Sequence, residues 1–246
     1  MDRREREKHS AVQTHWQNRV AMERDLHHLR LENIALWDYL TVIRKACACA
    51  TNATESADML EALSELLTAT LDVVDATDGS LLAVDETNKE LVFVLTHGGI
   101  PEDQLRWKRL TPGQGIAGHA VKSGRSIIVN NPVGDPRFDP SLDQEFSFET
   151  KCLLAVPVLD GGEAIGVLEV LNKRGSGKFD ERDENLVTVS TDVAVRLLRN
   201  LVAAEKPKKT TVARRKKTPV RKKAAAVRGA TSKKKRVVKK ITASQK

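Results

Sequence analysis

Aromatic side chains are scarce in this chain, with five Phe, three Trp and one Tyr among 246 residues. None lies beyond Glu205, and that same stretch holds neither Asp nor Glu. A segment of cations and small residues cannot bury enough apolar surface to offset its ordering entropy, so residues 206–246 are expected to be a disordered basic tail. Cysteine is scarce as well. Cys47, Cys49 and Cys152 make an odd count, which argues against a disulfide scaffold and fits a reducing cytoplasm. No apolar leader follows the charged opening from Met1 to Lys8, so export is not expected. Nowhere do about 18 apolar residues run together, as a spanning helix requires, so membrane insertion is not expected, though surface adsorption of the tail stays open.

What the chain does have is 40% apolar content, enough for one sizeable core, and an uneven charge. Residues 206–246 carry 18 of the 41 Lys and Arg. Residues 1–205 then hold 23 basic against 33 acidic groups, a net of −10 beneath the overall +8. An acidic body with a basic tail points to a tail that meets polyanions such as DNA or RNA, or to one that keeps the protein in solution.

The body opens with a helical pattern. Met22, Leu26, Leu29, Asn33, Leu36, Leu40 and Ile43 fall at alternating spacings of three and four, the a and d positions of a coiled coil, and the register extends back through Arg19 and His15 to Val12. A lone Asn at an a position costs stability but favours two strands. Residues 1–46 are therefore expected to form a dimerising helix, with a helix folded onto its own domain as the competing reading, because Ile34 and Trp37 widen the apolar face. A second helix is expected from Ser56 to Val74, ended by Asp78-Gly79, and a last one from about Glu181 to Ala204, opened by Asp180 as its cap.

Between them lie candidate strands at Ser80–Asp85, Glu90–Thr96, Ser126–Asn130, Cys152–Leu159 and Ala164–Lys173. Two pairs are joined by four-residue links, Glu86–Lys89 and Asp160–Glu163, and such short links join only antiparallel neighbours. The fold class is thus α+β with a central antiparallel sheet. The long stretches Gly98–Arg125 and Pro132–Lys151 are excursions with local helix, where function usually sits.

Several chemistries are absent. Gly113-Gln114-Gly115-Ile116-Ala117-Gly118 spells a dinucleotide fingerprint, but no apolar strand precedes it and no ribose-binding acid ends the next strand. Its remaining use is to free backbone amides at a helix start. Cys47-Ala48-Cys49 has the wrong spacing for zinc. No nucleophile elbow, Walker loop or paired carboxylates can be identified, so an enzyme is not expected.

The segment Leu168 to Glu184 is the most informative. A strand ends in Asn172-Lys173, a loop follows, and Phe179 precedes a helix whose first turn holds Asp183 and Glu184. An ammonium at a strand end facing a carboxylate at a helix start makes a latch over the loop, with Phe179 as its plug. These five residues resemble the N-K-x(n)-F-x3-D-E signature of GAF domains, the regulatory ligand-binding modules of cyclic-nucleotide phosphodiesterases and many bacterial signalling proteins. Ala76–Leu82, Gly113–Ala120, Asp135–Phe138, Leu153–Val158 and Ile165–Leu168 resemble further GAF segments in order.

The resemblance covers about residues 54–201 and implies an antiparallel sheet with the terminal helices on one side and a ligand pocket on the other. It implies the latch as a structural salt bridge more than a ligand contact. Relatives that attach bilins or reduce free methionine sulfoxide use cysteines in or near the pocket, and the excursions here contain none. The expectation is a non-enzymatic, homodimeric sensor of a small polar molecule such as a cyclic nucleotide, with pocket candidates His119, Asn130, Phe146, Phe148 and Thr150. The alternative is a nucleic-acid-associated structural protein in which the GAF fold only dimerises.

Overall fold

The computed structural model describes residues 3–53, 55–106, 108–175 and 177–205, with side-chain surroundings between residues 13 and 201. The expected basic tail, residues 206–246, lies outside the described residues. The chain opens with a 50-residue helix, α1 (Arg3–Asn52), followed by α2 (Ser56–Val73). Strands β1 (Ala76–Val84) and β2 (Leu91–His97) come next. The first excursion holds α3 (Glu102–Leu105), the short β3 (Arg109–Leu110) and α4 (Gly115–Ser123). After β4 (Ile127–Val129), the second excursion holds a 3-10 turn at Pro132–Gly134 and α5 (Ser141–Phe146). Strands β5 (Leu153–Asp160) and β6 (Glu163–Lys173) and the helix α6 (Glu181–Glu205) complete the body.

The six strands form one antiparallel sheet in the order β3-β2-β1-β6-β5-β4. Both of its faces are covered, which is why the central strands read as apolar runs rather than as alternation with water-facing residues. On β5 and β6, Leu154, Val156, Leu168 and Val170 pack toward α2 and α6 in the larger core. Their neighbours Leu153, Ala155 and Val167 point the other way, into a second core under the excursions with Ile116 and Leu105. Burying one such aliphatic side chain contributes about 1.5 to 3 kcal/mol, so each face is held by many small increments.

Two expectations are corrected. Asp78-Gly79 does not end the second helix but lies within β1. The helix stops at Val73, where two β-branched residues meet Asp75 in the left-handed region at φ 55°. Gly79 is needed because α2 crosses close above it: a Cβ there would stand 2.9 Å from the Leu71 side chain and 2.9 Å from the Glu169 carbonyl oxygen. The second correction is β3, whose two residues no periodicity announces. Arg109 is fixed there by ion pairs to Asp85 and Glu90, at 2.8 and 2.9 Å.

The three long helices are pinned to one another by hydroxyls. Tyr39 of α1, 2% exposed, donates to the Leu186 carbonyl oxygen of α6 at 2.7 Å and contacts Ser190 Oγ at 2.8 Å. Ser190 Oγ in turn meets Thr70 Oγ1 of α2 at 2.7 Å, and Thr70 donates to the Leu66 carbonyl oxygen. Burial pushes the Tyr39 phenol up to about 12, so it stays a donor at any ordinary pH. From Tyr39 onward, α1 lies on the domain through Val42, Ile43, Ala46 and Cys47. Before it, Met22, Leu29 and Trp37 stand 59–72% exposed.

Candidate functional site

The signature residues come together where β6 meets α6. Lys173 Nζ donates to Asp183 Oδ2 at 2.5 Å, with side chains 20% and 6% exposed. Asp183 is also part of a reciprocal cap: it accepts from the Asp180 backbone N–H, and Asp180 accepts from the Asp183 N–H, each at 3.1 Å. Two donors left over at the helix start are thereby satisfied. The Phe179 ring is buried beside the pair, 5.8 Å from Lys173 Nζ, and Glu184 accepts a hydrogen bond from Ser126 Oγ.

Asn172 works toward the other side of the sheet. It sits at φ 57°, a conformation Asn tolerates better than most residues. Its amide donates to Asp78 Oδ2 at 3.2 Å and to the Glu149 carbonyl oxygen at 3.0 Å, and its Oδ1 accepts from the Lys151 N–H at 2.8 Å. Asp78 in turn accepts from the Gly99 N–H at 2.6 Å. The motif thus ties α6, through two adjacent residues, to the opening of the first excursion.

Under the excursions is a cavity of about 120 Å³. Phe93, Leu105, Ile116, Phe138, Phe148 and Leu153 give it apolar walls. Its floor is polar, because the register sets Thr96 of β2, Ser80 of β1 and Glu169 of β6 in one row across three strands. Ser80 Oγ donates to Glu169 Oε2 at 3.4 Å, a long bond. Burial pushes the Glu169 carboxyl up to about 7, with the Ser80 hydroxyl bond acting in the opposite direction. The Thr96 Oγ1 is buried with no hydrogen-bond partner among the described residues.

Gly113 and Gly115, both at positive φ, flank the N-cap Gln114 of α4, and Gly115 lies at the cavity rim. Gly118 packs so tightly on this turn that a Cβ would stand 2.6 Å from the Gly113 carbonyl carbon. The three glycines are therefore accounted for by a tight turn into a helix.

Of the five pocket candidates, Phe148 and Thr150 line the cavity and His119, Asn130 and Phe146 do not. His119 Nδ1 turns back to the Gly115 carbonyl oxygen at 2.8 Å. Asn130 belongs to the latch, where it exchanges two hydrogen bonds with the Phe179 backbone at 2.9 and 3.0 Å. Phe146 packs at the edge of the second core under Lys108 Nζ, 4.7 Å from its ring centroid. Ser80, Thr96 and Glu169 were not among the candidates. One signal could have found Glu169: it is the acid inside the apolar run from Ile165 to Leu171. None of the three cysteines lines the cavity.

The GAF domain model matches residues 58–197, more than half of the chain. This chain belongs to the GAF domain family. It is 31% identical over 121 residues, 46% of its length, to a probable 3',5'-cyclic phosphodiesterase, pde-5, of Caenorhabditis elegans. It is 35% identical over 99 residues, 40% of its length, to a dual 3',5'-cyclic-AMP and -GMP phosphodiesterase 11 of Drosophila melanogaster. The matches span only 16% and 7% of those relatives. Among solved structures, the GAF domain of a phosphoenolpyruvate-protein phosphotransferase from Coxiella burnetii superposes with a TM-score of 0.56 at 21% identity, over 68% of this chain and 96% of that one. The free methionine-R-sulfoxide reductase of Neisseria meningitidis gives 0.53 at 20% identity, over 68% and 91%. At such identities the likeness is one of fold, and the GAF domain is a regulatory module in that fold.

Proposed function

We propose that this protein is a cytoplasmic, non-enzymatic small-molecule sensor whose cavity ligand biases the helical layer, with α1 joining two copies and the basic tail meeting a polyanion. The observation that carries this reading is the cavity, with apolar walls and a floor whose hydroxyl and carboxyl groups have unused hydrogen-bonding capacity. That composition is typical of small-molecule sites. The route to the helices is short. A ligand that displaced Asp78 would disturb Asn172, whose neighbour Lys173 holds the start of α6.

The names of the relatives make cyclic AMP and cyclic GMP the first compounds to try. Native mass spectrometry of the full chain, as purified and after addition of either nucleotide, tests the sensor reading. The expected result is one added small-molecule mass per chain. A chain that keeps its bare mass after exposure to the nucleotides and to lysate metabolites sinks it. The alternative, a nucleic-acid-associated structural protein, is favoured by one observation, the 18 cations in residues 206–246.

A further inference from the structure

Among the described residues, the titratable side chains around the cavity are four carboxyl groups and one histidine, His97. Asp78, Asp139, Asp143 and Glu169 line it, and among the described residues no Lys or Arg does. Three of these carboxylates are engaged by their own neighbours. Asp78 accepts from Gly99 N–H and from the Thr77 hydroxyl at 2.5 Å. Asp139 accepts from Gln114 Nε2 at 2.6 Å and from the Ser141 N–H at 3.0 Å. Asp143 accepts from the backbone and hydroxyl of Thr150, both at 2.9 Å. Glu169 is different, since the Ser80 hydroxyl at 3.4 Å is its one bond given by the structure, and the partnerless Thr96 hydroxyl stands in the same row.

We propose that the cavity takes a small organic cation, an ammonium or amidinium compound about the size of one ring, with Glu169 as its counter-ion and Ser80 beside it as a hydrogen-bonding partner. This rests on the sensor reading and narrows its ligand class. A phosphate-bearing ligand would bring negative charge among four carboxyl groups, where the low dielectric magnifies repulsion. A cation brings charged donors to a carboxyl group whose one bond is long. The volume bounds the size: an enclosed cavity of about 150 Å³ holds benzene, and this one is about 120 Å³ but open on one side. A one-ring compound therefore enters with its charged end on the floor and part of its ring at the mouth.

Burial holds the Glu169 proton to about 7. Cation binding below that pH must therefore release a proton, and affinity should rise with pH. The other titratable groups facing the cavity are Asp78 of β1, His97 at the end of β2, Asp139 in the second excursion and Asp143 of α5. A Glu169→Gln variant separates the Glu169 contribution from theirs.

Benzamidine, benzamide and benzoate are near-isosteric probes carrying positive, zero and negative charge. Each is titrated into the full-length protein while the backbone amides of Ser80, Thr96 and Glu169 are followed by NMR. Benzamidine should bind roughly tenfold tighter than the other two near pH 8, lose most of that preference near pH 5, and lose it at both in Glu169→Gln. Equal or tighter binding of benzamide or benzoate in the same cavity would overturn the cation assignment while leaving the sensor reading intact. A benzamidine preference that persists in a folded Glu169→Gln protein would also overturn it. If none of the three moves those amides, the cation assignment falls, and the sensor reading still stands or falls on the native mass measurement. Should Glu169→Gln not fold, the pH series on the unaltered protein decides, since a preference independent of pH excludes a titrating counter-ion.

Discussion

Lys173 and Asp183 form a mostly buried ion pair on which stability depends. The pair is largely out of water, so removing one partner leaves a buried charge, and either Lys173→Met or Asp183→Asn should cost about 1 to 3 kcal/mol. Denaturant unfolding of both single variants and the double variant measures their coupling, and a coupling of zero would reduce the motif to a coincidence of surface charges. Glu169 predicts a pH effect of the opposite kind to ordinary acid denaturation. Its folded value near 7 lies above the model-compound value of 4.5, so the folded state keeps a proton that the unfolded chain has lost. Its stabilising contribution is therefore full below 4.5 and is lost as pH rises through 7, by up to about 3 kcal/mol. Glu169→Gln should flatten chemical-unfolding stability between these pH values. Asp135, held near 2 by Arg137, acts only at lower pH and does not overlap that window.

At the scale of the element, α1 divides at Tyr39. The part after it packs on α2 and α6, in line with the reading of a helix folded onto its own domain. The part before it keeps Met22, Leu26, Leu29 and Leu36 exposed at heptad spacing. Such a row of apolar groups in water favours association with a second α1, and sedimentation should find a dimer at micromolar concentration. Asn33→Val should strengthen that dimer while loosening its control over oligomer number. A monomer would end the coiled-coil proposal. The seven-residue spacing was legible in the sequence, but the position at which α1 leaves the domain was not. That position depends on Tyr39 finding Leu186 and Ser190, about 150 residues away.

For the whole molecule the prediction concerns charge. Eighteen cations without acids or aromatic groups should bind duplex DNA or RNA without sequence preference, through phosphate contacts alone. If about half of them engage, log K against log salt should fall with a slope near −8, at about −0.9 for each neutralised phosphate. The body carries a net −10 and competes for the same cations, so full-length protein should bind more weakly than the peptide 206–246. Fluorescence anisotropy of both at several salt concentrations checks this. Failure of the peptide at low salt would leave the tail a solubilising or protein-docking extension.

Apolar periodicity, the two short strand links and the spacing from Asn172 to Glu184 determined the α+β class, the antiparallel sheet and the latch, because each is written in neighbours along the chain. Helix stripes, hairpins and caps are local, and so is a charge run. The cavity floor was decided only by the tertiary structure. Ser80, Thr96 and Glu169 lie on three strands and share a row because of strand register, a relation between distant segments that no spacing encodes. The same holds for Asn130, a polar residue just after β4 that turned to Phe179 rather than to the cavity. Which polar group faces a ligand and which completes a hydrogen-bond pair depends on what the folded chain sets opposite it, and packing makes that choice.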